Sequence, residues 1–191
     1  LREAALMALF NHKNVVGVIG VVTALRRLPV LLVLEFCEHG TLLDHVMTQE
    51  HDSTVLLTFC HDVASGMHYL ASRNIVHGDV AARNVLVDAA RTCKVSDFGK
   101  STALSNTTDV SEYSSVYVKL RREAEIPIRW AAIEVLADAK YSKASDVWAF
   151  GVLIYEVMSG GALPYAEFPT LTAAAEHIKG GYTLKCPTNC S

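Results

Sequence analysis

Three features of the sequence predict an α+β fold. Two β-branched runs, VVGVIGVV (15–22) and VLLVLEF (30–36), stand close together early in the chain. Two segments with helical patterning, 53–72 and 146–158, follow them, and a pair of short apolar runs spaced for a hairpin, 85–87 and 93–96, lies between those helices. With 191 residues, 51% of them hydrophobic and 19% charged, the chain has the make-up of one ordinary globular domain or slightly more. That composition excludes a disordered segment, a collagen-like repeat and a disulfide miniprotein.

Taken in order, residues 2–10, REAALMALF, have helical composition, and the two β-branched runs read as strands joined by a short basic turn. In 53–72 the apolar residues Leu56, Phe59, Cys60, Val63, Met67 and Leu70 recur at helical spacing and form one face of an amphipathic helix. The stretch 146–158, DVWAFGVLIYEVM, is apolar nearly all round, the pattern of a helix buried at the centre of a lobe, and Gly160 with Gly161 ends it. There are no internal repeats.

The charge balance, 17 Lys plus Arg against 20 Asp plus Glu, leaves a formal charge of −3, which gives no electrostatic basis for binding nucleic acid or anionic lipid. Five scattered cysteines, mostly in apolar segments, read as reduced thiols of a cytoplasmic protein. Cys186 and Cys190 have the spacing to bridge or to share a metal, but nothing nearby completes a four-ligand set. The longest apolar stretch, 15–25, runs into Arg26 and Arg27 and is too short to cross a bilayer; no membrane segment or signal peptide is expected within this chain. Position 1 is Leu and the final KCPTNCS lacks a helix terminator or polar tail, so both ends are expected to be cuts.

Chemistry concentrates around the hairpin. Its antiparallel pairing brings the start of VLV (85–87) beside the end of CKVS (93–96), so Asn84 and Asp97 should converge, with Asp79 five residues before Asn84 in the entering loop. Two carboxylates and an amide on one loop edge, with Gly99 allowing close backbone approach, make a hard-oxygen site suited to magnesium and phosphate oxygens. Asp and Asn also occupy strand ends simply to make turns, and spacing alone leaves both readings open.

The motif HGDVAARN (77–84) followed by SDFG (96–99) resembles the catalytic and magnesium loops of protein kinases, a family whose parts are well described. The resemblance spans nearly the whole chain. EAALM (3–7) is similar to the regulatory helix with its ion-pairing Glu3, LEFCEHG (34–40) to the hinge, WAAIE (130–134) to the end of the activation segment, and SDVWAFGVLIYE (145–156) to the buried supporting helix. It implies a truncated two-lobe kinase-like domain: residues 1–36 hold part of the N-lobe, one helix and about two strands, and 37–191 a mostly helical C-lobe lacking its last helices. The loop reads AARN, with Ala81 where Ser/Thr kinases usually carry lysine, and IPIRW (126–130) resembles the tyrosine-kinase substrate platform.

The resemblance implies phosphoryl transfer from ATP, with Mg2+, to tyrosine hydroxyls of protein substrates. Asp79 orients the hydroxyl and accepts its proton, and Arg83 steadies phosphate and substrate. Asn84 and Asp97 ligate magnesium. Main-chain groups of Glu35 and Cys37 meet the adenine edge, Leu34 is the gatekeeper, and Leu86 completes the ATP pocket. Pro127 packs against the acceptor ring. Glu3, Phe98, Gly99, Tyr113 and Tyr117 are the regulatory set, the two tyrosines lying beside KLRR (119–122) in an activation segment over 100–125.

Several positions depart from the family pattern. Gly78 stands where an arginine usually pairs with a phosphorylated activation-loop residue, so phosphorylation is expected to stimulate activity only weakly. Ile133 replaces a proline while Glu134 remains, and Lys100 replaces the usual leucine after Gly99. No glycine-rich loop or strand lysine precedes Glu3, so this chain alone is expected to bind ATP weakly or not at all. Two alternatives stand beside a tyrosine kinase: a pseudokinase scaffold, separable by the sequence preceding Leu1, and a Ser/Thr or dual-specificity kinase, separable by phosphoamino-acid analysis.

Overall fold

A computed structural model describes residues 6–22, 31–104, 118–119, 126–187 and 190. The expected α+β class is observed. Strands β1 (Val18–Val22) and β2 (Leu31–Leu34) pair antiparallel, with an irregularity between Val18 and Gly20. The run expected as one strand over 15–22 divides at Gly17, whose N–H is taken by the Glu35 carboxylate at 2.6 Å. Val16 N–H instead donates to Val95 O at 2.9 Å, and Val95 N–H to Asn14 O at 2.9 Å. Of the helix expected over 2–10, Leu6 and Met7 are helical and a turn follows; Glu3 and the basic turn between the strands lie outside the described residues.

Helix α1 (Leu42–Thr48) starts at Thr41, whose Oγ1 accepts from Asp44 N–H at 3.1 Å. Helix α2 (Ser53–Ser72) matches its expected span and starts at Asp52, whose Oδ1 accepts from Val55 N–H at 3.0 Å. Each such cap satisfies an otherwise orphaned amide and contributes about 1 kcal/mol. Leu56, Phe59, Cys60, Val63 and Leu70 of α2 are buried, and Met67 packs at the margin of the same core. Gly66 lies where α2 passes Asn14, close enough that a Cβ would strike the Asn14 carbonyl.

Strands β3 (Ile75–Val76), β4 (Val85–Val87), β5 (Cys93–Val95) and β6 (Thr102–Ala103) surround the candidate site. The hairpin forms as expected, β4 pairing β5 antiparallel with Val85 opposite Val95, while β6 returns to pair with β3. Residues 39–41 flank β4, through His39 N–H to Val87 O at 3.0 Å and Val87 N–H to Gly40 O at 2.9 Å. The short strand β7 (Val118–Lys119) pairs with β8 (Lys140–Tyr141).

Helix α3 (Ile133–Asp138) precedes α4 (Lys143–Met158), which begins in a capping box between Ser142 and Ser145 and so starts three residues before the apolar run. Helix α4 is not buried all round. Ala149, Val152, Leu153 and Val157 face the core, whereas Val147 is 69% exposed beside a groove shared with Met67 and Phe150. A stripe of about 100° suffices to bury a helix on one side, and neighbours flank only one side of α4 among the described residues. Helix α5 (Leu171–Lys179) packs against α3 and the 3-10 turn Ile128–Trp130.

Candidate active site

The turn between β3 and β4 carries His77–Asn84 and is held from below by two buried acids of α4. Asp146 accepts from His77 N–H at 2.7 Å through Oδ2 and from Gly78 N–H at 2.9 Å through Oδ1. Glu156 Oε2 accepts from Ala82 N–H at 3.0 Å and from the Trp130 indole N–H at 2.9 Å. Burial pushes both carboxyls up from the ordinary range, against the opposing pull of those N–H donors and of His77 or Arg83. Neither acid was singled out from the sequence. The available signal was two carboxylates in an otherwise apolar helix, where an ionised group must find donors.

Histidine 77 links the turn to β5 and its exit. Its Nδ1 accepts from Asp79 N–H at 3.2 Å, which leaves Nε2 as the donor to Ser96 O at 3.0 Å. Ser101 Oγ donates to His77 O at 3.0 Å. The Phe98 ring is buried, 5.2 Å from the His77 ring and 5.1 Å from Phe10. This fixes the backbone on both sides of Asp97 and Gly99.

The structure brings the Asp79 group together. Arg83 Nη2 donates to Asp79 Oδ1 at 2.6 Å, and Asn84 Nδ2 donates to Asp79 O at 2.8 Å. The Arg83 guanidinium carbon lies over Trp130, 4.3 Å from the ring centroid. Ser96 N–H and Oγ both donate to Asn84 O at 2.9 Å, so Asp97 follows directly from a residue bonded to Asn84. Asp97 is exposed, in the left-handed region at φ 59°, with Oδ1 accepting from Gly99 N–H at 3.2 Å. Lys100, in place of the family's usual leucine, has its Nζ 3.0 Å from Asp79 Oδ2.

The donor chemistry fits a magnesium ion. Asn84 has committed its amide nitrogen, so its Oδ1 is the atom it can present, and Asp97 offers an exposed carboxylate. Magnesium characteristically takes one or two protein oxygens and completes its shell with water and phosphate. Among the described residues no cluster of three or more acidic, histidine or cysteine ligands could hold a metal by itself.

The remaining expected residues divide. Leu34 and Leu86 are both half-buried against the main core, and Cys37 is buried, its thiol pushed up first by burial and then by Glu35. The Glu35 side chain is engaged as well, with Oε2 3.2 Å from Lys94 Nζ, while its main-chain N–H donates to Gly17 O at 3.0 Å. Pro127 caps the Ile128–Trp130 turn and borders a crevice with Asp79, Trp130 and Tyr141. Burial, then the Asp79 charge, raises the Tyr141 phenol. Next to Pro127, the buried Arg129 donates to Pro164 O at 2.9 Å, to Tyr165 O, and to Phe168 O at 3.0 Å, tying the crevice wall to the segment after α4. Tyr113 and Tyr117 lie outside the described residues.

Comparison with known proteins bears on the whole chain. A family model described as protein tyrosine and serine/threonine kinase matches residues 1–191. The chain is 39% identical over 193 residues to ephrin type-A receptor 1 of Homo sapiens, covering 100% of the chain and 18% of the receptor. It is 40% identical over 192 residues to ephrin type-B receptor 2 of Gallus gallus, covering 100% and 18%. The tyrosine-protein kinase Fer of Mus musculus is 40% identical over 192 residues, covering 100% and 22%. The chain thus spans about a fifth of the length of these relatives.

Proposed function

Because the chain belongs to the protein tyrosine and serine/threonine kinase family, we propose that it is catalytic-domain sequence of a protein tyrosine kinase, transferring the γ-phosphate of ATP to tyrosine hydroxyls of proteins in signalling. The observation that carries this reading is the Asp79 carboxylate, buried to 8% exposure and held at 2.6 Å by Arg83 through one oxygen and at 3.0 Å by Lys100 through the other. A carboxylate so fixed can orient an incoming hydroxyl and take its proton while the phosphoryl group leaves ATP for the oxygen. Trp130 keeps Arg83 in place, and Pro127, which with Asp79 lines a gap no larger than a water molecule, is assigned to the acceptor ring by its place in the sequence.

Asn84 and Asp97 would hold magnesium, which when bound supplies neutralisation of phosphate charge. Leu34 and Leu86 would enclose the adenine, with main-chain groups of Glu35 and Cys37 at its edge. Phe98 and Gly99 set the position of Asp97, and Glu3, Tyr113 and Tyr117 are assigned regulatory roles. Residues 1–36 are read as N-lobe and 37–191 as C-lobe. No helix among the described residues is long and apolar enough to cross a membrane. The reading puts the domain in the cytoplasm and leaves open whether it belongs to a membrane receptor, as the ephrin receptors among its relatives are named.

The test is an assay of the full-length gene product on a Glu/Tyr polymer with magnesium and ATP, with Asp79→Asn as control. Tyrosine phosphorylation lost in the variant supports the reading. A wild type that leaves the polymer tyrosines unphosphorylated, or transfer unaffected by Asp79→Asn, overturns it.

A further inference from the structure

Two departures from the family pattern, the glycine at 78 and the lysine at 100, meet in space. Gly78 has φ 78°, a conformation that resists a side chain, and a Cβ built there would lie 3.4 Å from Lys100 O and 3.7 Å from Lys100 Cβ. The Lys100 backbone therefore runs directly over Gly78. It is fixed there from both directions, since Ser101 N–H donates to Phe98 O at 3.0 Å, Ser101 Oγ donates to His77 O at 3.0 Å, and Thr102 pairs with Val76. From this anchored turn the lysine side chain, 27% exposed, reaches Asp79 Oδ2 at 3.0 Å, while Arg83 occupies Oδ1 at 2.6 Å.

A carboxylate gripped at one oxygen can still rotate about its own axis. Gripped at both, by cations on separate backbone segments, it has one orientation. We infer that Lys100 is a positioning residue for Asp79, fixing with Arg83 the plane of the carboxylate that orients the acceptor hydroxyl. The inference rests on the kinase reading above. Fixing the base matters for the transfer step rather than for nucleotide or acceptor affinity, because hydroxyl geometry is exercised only as the bond forms.

The experiment compares full-length wild type with Lys100→Met, Lys100→Gln and Lys100→Arg on the Glu/Tyr polymer, with melting temperature measured on each. The Met and Gln variants should lose about 10- to 100-fold in kcat with KM for ATP changed less than about threefold, and Arg should recover most of the loss. A merely structural lysine would lower the melting temperature of Met and Gln and leave kcat of the folded protein unchanged, which overturns the inference. A rise in kcat also overturns it, since the ammonium would then be blocking the base. Wild type that transfers no phosphate fails the kinase reading itself; active wild type with indifferent Lys100 variants fails this inference alone.

Discussion

Glu156 gives a prediction whose size the structure sets. Its side chain is 2% exposed, and one oxygen, Oε2, accepts from both Ala82 N–H and the Trp130 indole. Glu156→Leu keeps a similar volume but strands two buried donors, each costing about 1–3 kcal/mol, so the folded state should lose about 2–6 kcal/mol. Glu156→Gln retains an oxygen able to take both bonds and relieves the burial of a charge, so its loss should stay near 1 kcal/mol. Equilibrium urea unfolding measures both. Because Ala82 sits in the turn between Asp79 and Asn84, and Trp130 carries Arg83, the Leu variant should also lose kcat while still folded.

The pH dependence of the same site has a definite sign. A carboxyl whose folded pKa is raised holds a proton that the unfolded chain has already released, so stability falls as pH rises from the ordinary value of 4.5 through the raised one. Glu156→Gln should flatten that slope. A Leu variant within about 0.5 kcal/mol of wild type would show that the two N–H groups are satisfied without Glu156, and would refute the reasoning.

His45, buried among His39, His51 and Phe59, has its pKa lowered first by burial and then by the charges of His51, His39 and Arg91. Its unfolded form binds protons first, so stability should drop as pH falls from 6.5, and His45→Phe should flatten this acid limb in melting curves. Glycine-to-alanine changes should have opposite signs in the two long helices. Gly66→Ala meets the Asn14 carbonyl and Val95 Cγ2 at 3.0 Å and should cost about 1–3 kcal/mol, whereas Gly151→Ala meets nothing within 4 Å and should gain about 0.5–1 kcal/mol in chemical denaturation.

The parts of this molecule legible in the sequence are those governed by local periodicity. The span of α2 matches its apolar spacing to the residue, because every third or fourth side chain must reach the same core. The β4–β5 hairpin and the neighbourhood of Asn84 and Asp97 follow from the spacing of two short apolar runs, since antiparallel pairing admits one geometry for them. The strand over 15–22 was legible only in part. Hydrophobicity does not say which partner takes a backbone amide, and residues 14–16 found β5 rather than β2.

By itself, then, the sequence determined the α+β class, the main helix, the hairpin and, by resemblance, the kinase family with Asp79, Arg83, Asn84 and Asp97 as its candidate site. The tertiary structure decided what holds that site. Asp146 and Glu156 reach the turn of residues 77–84 from 68 to 74 residues away, and Lys100 reaches Asp79 because β6 folds back onto β3. Such partners share no periodicity with the groups they bind. They are chosen by burial, which leaves a charged or N–H group no water to turn to and so makes the nearest side chain of opposite need its partner.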